Sequence, residues 1–201
     1  MKRLFVDQDG TIARFHDVPD FQHRHKDTGF FLSLKPFSEM AIALRMFIAF
    51  HPEVLVYSLS AVDESEYAKI TQEKNIWMDK VLPEIPLERR IYNPITKEKS
   101  ELLPFLDSAD YKPSFDFLLD DFNKNLREWQ QSGRRSIKCK NNINMGGTGH
   151  YGGDVGSIWD GAICSNQGSP IDILTNLEQL MDCPVTFTET CRIRDLRPQA
   201  V

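Results

Sequence analysis

The sequence predicts an α/β fold: a Rossmann-like, mainly parallel sheet with helices on both faces, forming one domain over residues 1–201. Three observations predict it. Short apolar runs alternate with segments of helical period, the pattern of crossover units. Two of those runs, Leu4–Val6 and Phe115–Leu119, lead into acids, Asp7 and Asp9 after the first, Asp120 and Asp121 after the second. In open parallel sheets ligands sit beyond the carboxyl ends of the strands. No repeat, low-complexity stretch or long linker divides the 201 residues, a length that buries a sizeable core as one unit.

Each element has its own signal. After the first strand, residues 15–35 are aromatic and polar without regular period and read as a small cap insert, bounded at about residues 14–36. Ser38 is placed to N-cap the next helix, whose stripe of Phe37, Met40, Ala41, Leu44, Phe47 and Ile48 runs until His51-Pro52. Val54–Leu59 is a buried second strand ending at Ser60. Asp63 and Glu66 form a capping-box pattern for a helix carrying Tyr67, Ile70 and, after a break, Trp77. A short strand follows around Ile91-Tyr92, then a helix over residues 97–106, the fourth strand over residues 115–121 and a helix from Asn123 to Gln131. Residues 133–165 form a glycine-rich region. Ser136–Lys140 reads as a strand, and Gly146, Gly147, Gly149, Gly152 and Gly153 read as a hairpin loop, since their spacing matches neither phosphate-binding glycine pattern. Ser169-Pro170 starts the last helix, through Leu180 and Met181.

Composition narrows the partners. The formal net charge is −5 with basic residues scattered, which provides no footprint for a nucleic acid polymer or an anionic membrane surface. The longest apolar run, Met40–Phe50, is interrupted by Arg45 and is too short to span a bilayer. The chain opens directly on a strand, without a leader, so a cytoplasmic location is expected. Cys139, Cys164, Cys183 and Cys191 form no CxxC pair and read as reduced, packed thiols. A second copy of the chain stays open as a partner.

The strand-end acids carry the chemistry. Residues i and i+2 of a strand face the same way, so Asp7 and Asp9 can address one point, with Gly10 letting backbone approach an anion. An EF-hand is excluded, because Ile12 and Val18 stand where that loop needs glycine and glutamate. Asp7 is placed as a nucleophile on phosphorus and Asp9 as the group that moves protons to and from the leaving oxygen and water. Mg²⁺ suits the carboxylates of Asp7, Asp9, Asp120 and Asp121, the last as ligand or as orienter of bound waters. Lys99 or Lys97 would offset the charge. Ser60, with the Ala61 amide, and Gly10 and Thr11 are candidate phosphate contacts. Ser58 is the alternative to Ser60, which is preferred for its place at the strand end.

These residues resemble those of the haloacid dehalogenase-like phosphohydrolases. Asp7-Gln8-Asp9-Gly10-Thr11 is similar to that family's first motif, Ser60 to its second, a lysine near Lys99 to its third, and Asp120-Asp121 to its fourth. The insert, Gly29-Phe30-Phe31 before Leu34-Lys35-Pro36, and Leu118 through Asn125 resemble the 5'-nucleotidase and 5'(3')-deoxyribonucleotidase group. The resemblance implies a Mg²⁺-dependent phosphatase acting on a small phosphorylated metabolite, a nucleoside monophosphate, through an aspartyl phosphate. The alternatives are a phosphatase for a non-nucleotide substrate and a non-catalytic phosphate-ligand binding protein. The insert would select the substrate. Phe15, Phe30 and Phe31, with Phe21, either wall a substrate pocket or anchor the insert to the core. His16, His23 and His25 read as solvated loop residues rather than a metal site.

Overall fold

The computed structural model describes residues 1–106, 112–141 and 159–183. Six strands form one sheet: β1 (Arg3–Val6), β2 (Leu55–Val62), β3 (Arg90–Pro94), β4 (Asp116–Asp120), β5 (Arg135–Lys140) and β6 (Ala162–Ser165). They lie in the order β3-β2-β1-β4-β5-β6, and all five pairings are parallel. Consecutive strands step outward from β1 to β3, then the chain returns to the far side of β1 and steps outward again from β4. That reversal opens a crevice at the carboxyl ends of β1 and β4, the place where such sheets hold ligands.

Strand alternation sorts the core into two faces. Leu4 and Val6 of β1, Val56 of β2 and Phe117 and Leu119 of β4 pack with α2 (Ser38–Phe50), α3 (Tyr67–Val81) and α5 (Pro170–Leu180). Phe5, Leu59 and Leu118 face the other side, against Leu126 and Trp129 of α4 (Asn123–Gln131) and Leu103 of a 3-10 segment, Lys99–Leu106. Arg3 and Asp116, register partners at the start of β1 and β4, form a buried two-point ion pair at 2.7 and 2.8 Å. That pair fixes the alignment of the two strands that carry the acids.

Several elements depart from expectation for tertiary reasons. Ser38 does not cap α2; Phe37 is the N-cap and makes no side-chain cap bond. Burial of its ring and its amide bond to Ile12 O, 2.7 Å, fix the chain there instead. Strand β2 continues past Ser60 to Val62, because β3 pairs with Ser58 through Val62. Asp63 caps a 3-10 turn by accepting from Ser65 N, rather than forming the reciprocal box with Glu66, and α3 runs unbroken to Val81. The helix expected over residues 97–106 is 3-10 and begins at Lys99. Phe115 lies in a 3-10 turn before β4 and is partly exposed. Ser169 does cap α5, in a complete capping box with Asp172. Because β5 and β6 pair in parallel, they are not two arms of one hairpin, and Gly146–Gly153 lie outside the described residues.

The insert between β1 and α2 is closed at its neck, where Arg14 N donates to Lys35 O at 2.8 Å and Ala13 bridges Pro36. Inside it are a 3-10 turn, Phe15–Asp17, a single helical turn α1 (Phe21–Arg24) and a second 3-10 turn, Phe31–Ser33. Helix α3 holds it down. Glu73 accepts from the amides of Gly29, at 2.7 Å, and Phe31, at 3.2 Å, and the Trp77 indole donates to Leu34 O at 2.7 Å. Cys139, Cys164 and Cys183 are free and buried, and no described helix is long and apolar enough to cross a membrane.

Removing one partner of a buried ion pair strands the other charge, at a cost of about 3–5 kcal/mol. Asp116→Ala should therefore lower unfolding free energy in urea by that amount. A loss below about 1 kcal/mol, the range of exposed pairs, would deny the Arg3–Asp116 pair its place in strand alignment.

Candidate active site

Asp7 follows the last residue of β1, and its amide bonds Leu119 O of β4 at 2.9 Å. That bond sets the end of one acidic strand against the other. Asp7, Asp120 and Asp121 each offer a carboxylate oxygen, all within 4.8 Å of one another, and all three residues are buried. Lys99 sits among them: its ammonium is 2.6 Å from Asp7 Oδ1 and 2.6 Å from Asp120 Oδ2. Lys97, by contrast, is exposed. The difference comes from the 3-10 segment, which begins at Lys99 and turns it inward.

The acids beyond β4 are anchored separately. Asp120 accepts from the Phe122 amide at 2.8 Å and from Asn125 Nδ2 at 2.9 Å. Asp121 accepts from Asn141 Nδ2 at 2.7 Å, and the same amide group donates to Gly10 O at 3.1 Å. The backbone carbonyl of Asp121 accepts from the buried Lys138, which also bonds Asn123 Oδ1 at 2.6 Å. One side chain, Asn141, thus ties the glycine turn after β1 to the second acid after β4.

The turn itself requires glycine. Gly10 has φ +85°, a conformation that side-chain-bearing residues rarely adopt, and a Cβ there would lie 2.2 Å from Asp121 Oδ2 and 2.7 Å from the His16 ring. Its amide donates to Ala13 O at 2.8 Å. Thr11 is fully buried beside the Cys139 thiol, whose pKa is raised well above its usual value, first by burial and then by Asp121.

Asp9 stands apart from the three clustered acids. Its Oδ2 is 2.5 Å from the ammonium of Lys74, which also donates to Ser60 Oγ at 2.8 Å. Ser60 and Ser58 are both fully buried in β2, and only Ser60 reaches this network, while Ser58 Oγ has no hydrogen-bond partner among the described residues. Ala61 is half-buried and pairs with Asn93 in the sheet. The aromatic rings of the insert pack on one another: Phe15 meets Phe21 at 4.9 Å and Phe30 at 5.6 Å, and Phe30 meets Phe31 at 5.1 Å. Phe30 and Phe31 are buried in the main core, with Phe15 packed against it. His16 Nδ1 lies 3.8 Å from Asp121 Oδ2, and burial lowers the ring's pKa, keeping it neutral near pH 7. His25 lies 3.7 Å from Asp63.

Crowding sets the protonation. Burial, then the nearby Asp120 and Asp9 charges, push Asp7 up to about 7 against the opposing effect of Lys99. Burial would lower the Lys99 pKa, but Asp120 and Asp7 outweigh it and the net shift is upward. Lys99 therefore stays charged. Three buried carboxylates converging on one point could hold a divalent cation such as Mg²⁺, and such a charge would hold Asp7 ionised.

Lys74, Asn125, Lys138 and Asn141 were not legible as site residues. For Lys74 a signal existed: Ile70, Lys74, Trp77 and Met78 share one face of α3, and all four are buried. A lysine inside an apolar stripe must find a partner.

Two outcomes follow from this geometry. Gly10→Ala should displace Asp121 or His16 and disorder the acid cluster, giving clear changes in the amide spectrum at both strand ends; a spectrum changed only next to residue 10 would contradict the close packing. For Asp7, the folded chain without metal binds more protons than the unfolded chain between about pH 4 and 7. Asp7 thus costs stability progressively as pH rises through that window. With a chelator present, the stability of Asp7→Asn relative to the unsubstituted chain should increase from pH 5 to pH 8, and a pH-independent difference would contradict the raised pKa.

No protein-family model matches the chain, and no curated protein matches it in sequence. Similarity to solved structures is clear. The L-2-haloacid dehalogenase PA0810 superposes with a TM-score of 0.56 at 12% identity, covering 88% of this chain and 99% of that one. The defluorinating L-2-haloacid dehalogenase Rha0230 gives 0.54 at 12% identity, over 89% and 95%. A chain of the Pnkp1/Rnl/Hen1 complex gives 0.50 at 16% identity over 69% of this chain, which spans 46% of that chain's length. The six-stranded parallel sheet and these superpositions together give this chain the fold of the haloacid dehalogenases.

Proposed function

We propose that the chain is a Mg²⁺-dependent phosphatase that hydrolyses a small phosphomonoester through a phosphorylated Asp7. The observation that carries this reading is the Lys99 ammonium held between Asp7 and Asp120, with Asp121 completing a buried three-carboxylate cluster at the sheet's switch point. Asp7, Asp120 and Asp121 would hold the metal. When bound, it supplies Lewis-acid and template chemistry at the phosphoryl group.

The residues of the chain divide the remaining work. Asp7 Oδ attacks phosphorus, forming the Asp7–phosphate bond as the bond to the leaving oxygen breaks. Asp9 delivers the proton to that oxygen and then takes one from the water that attacks the same phosphorus, regenerating Asp7 and releasing phosphate. Lys99 counters the negative charge that gathers on the phosphoryl oxygens. Ser60, on the strand beside β1, is the hydroxyl donor to one of them, with the Ala61 amide alongside.

The substrate is a nucleoside monophosphate in this reading, and the setting cytoplasmic. Support for the nucleotide comes from the insert's likeness to nucleotidases in sequence. Phe30 and Phe31 are committed to the core, so base contacts fall to the outer surface of the insert around the half-buried Phe15 and to whatever covers the crevice. A non-nucleotide phosphomonoester is the second reading, favoured by that same burial.

Phosphate release from a broad panel of monophosphates with Mg²⁺ tests the proposal. Activity is expected on nucleoside monophosphates, abolished by chelator. Asp7→Asn should reduce turnover by at least about 10⁴-fold, the loss typical of a missing nucleophile, with an unchanged circular dichroism spectrum. Binding of a monophosphate without release of phosphate from any of the panel would instead identify a binding protein.

A further inference from the structure

Lys74 is a fully buried lysine on α3 that the phosphatase reading leaves without a task. Its ammonium donates to Asp9 Oδ2 and to Ser60 Oγ and lies 4.5 Å from the centre of the Phe31 ring. An ammonium has three donors and no acceptor, whereas a serine hydroxyl has one proton and two lone pairs. In the Lys74–Ser60 contact Ser60 must therefore accept, and its own proton is left to donate elsewhere. Asp9 Oδ1 is buried without a hydrogen-bond partner among the described residues, so the carboxylate's orientation rests on Lys74. Held there, Asp9 stays out of the cluster of Asp7, Asp120 and Asp121.

We propose that Lys74 is the positioning residue of the phosphoryl site: it fixes Ser60 as a hydrogen-bond donor to a substrate phosphate oxygen and reserves Asp9 for proton transfer. This rests on the phosphatase reading and adds to it a link to the insert. The residue before it, Glu73, accepts from the amides of Gly29 and Phe31, so adjacent side chains of one helix hold the insert and orient two groups of the site. A change that lifts Phe31 also uncovers the ammonium that sets Ser60 and Asp9.

The test uses the full chain with Lys74→Met, Ser60→Ala and the double variant. A misoriented Asp9 harms substrates that need a proton on the leaving oxygen and largely spares those that do not. For Lys74→Met, kcat/KM should fall about 10²-fold or more on an alkyl phosphate, within the range for a general acid, and less than about 10-fold on p-nitrophenyl phosphate. Equal losses on both would show a merely structural lysine and overturn the proposal. Should Lys74→Met fail to fold, Lys74→Gln, which keeps donors without the charge, takes its place, with a smaller difference of the same sense expected.

Calorimetric binding of inorganic phosphate in the presence of Mg²⁺ gives a readout without turnover. Ser60→Ala should weaken phosphate binding about 10-fold in the unsubstituted chain and hardly at all beside Lys74→Met, because without Lys74 on its lone pair the Ser60 hydroxyl is no longer held with its proton toward the phosphate. Additive effects, or no phosphate binding by the unsubstituted chain, would overturn the proposal. If the chain binds phosphate with the coupled pattern yet hydrolyses neither ester, the phosphatase reading fails while the Lys74–Ser60 linkage stands.

Discussion

The acid cluster at the carboxyl end of this sheet depends on one ammonium, Lys99, placed 2.6 Å from Asp7 and 2.6 Å from Asp120. Carboxylates within 4.8 Å of each other repel by roughly 3–4 kcal/mol per pair at an effective dielectric near 20. A buried cluster of three could not stay charged alone. Lys99 offsets part of that repulsion, and Asp7 is still pushed up to about 7, first by burial and then by the Asp120 and Asp9 charges. A divalent cation held by the three carboxylates would relieve that repulsion and keep Asp7 ionised.

The scaffold holds this unfavourable cluster together by spending strong contacts away from it. The buried Arg3–Asp116 pair aligns β1 and β4 at their starts, and apolar residues on both faces of these strands fill two separate cores. At the other end, neutral donors do the anchoring: Asn125 and the Phe122 amide hold Asp120, and Asn141 holds Asp121 to Gly10 O. Hydrogen bonds to the charged form favour ionised acids without adding net charge. A second cation, Lys74, serves Asp9 separately, so the acids are divided into a group of three and a single one.

Residues whose place follows from strand ends were legible in the sequence. Asp7, Asp120 and Asp121 sit where the switch-point rule puts them, because a parallel sheet fixes its own carboxyl edge; alternation, which would bring Asp7 and Asp9 to one point, stops with β1 at Val6, and Asp9 pairs with Lys74 outside the cluster. The choice of Lys99 over Lys97 was not legible, since it depends on where a 3-10 segment begins. Lys74 carries one signal, its position between Ile70 and Trp77 on the buried face of α3. Asn141 and Lys138 carry no pattern of their own, as their roles arise from β5 pairing beside β4. The rings of the insert show the limit of composition: Phe30 and Phe31 can line a pocket or fill a core, and here packing on α3 and on each other takes them into the core.

The proposed chemistry turns on the identity of the group that attacks phosphorus. Rapid acid quench of the chain turning over a phosphomonoester with Mg²⁺, followed by peptide mass analysis, would locate the transferred phosphoryl group. It should be found on Asp7 during turnover and be absent from Asp7→Asn. A phosphoryl group on any other residue, or steady turnover with none on Asp7 under conditions that preserve acyl phosphates, would contradict that chemistry.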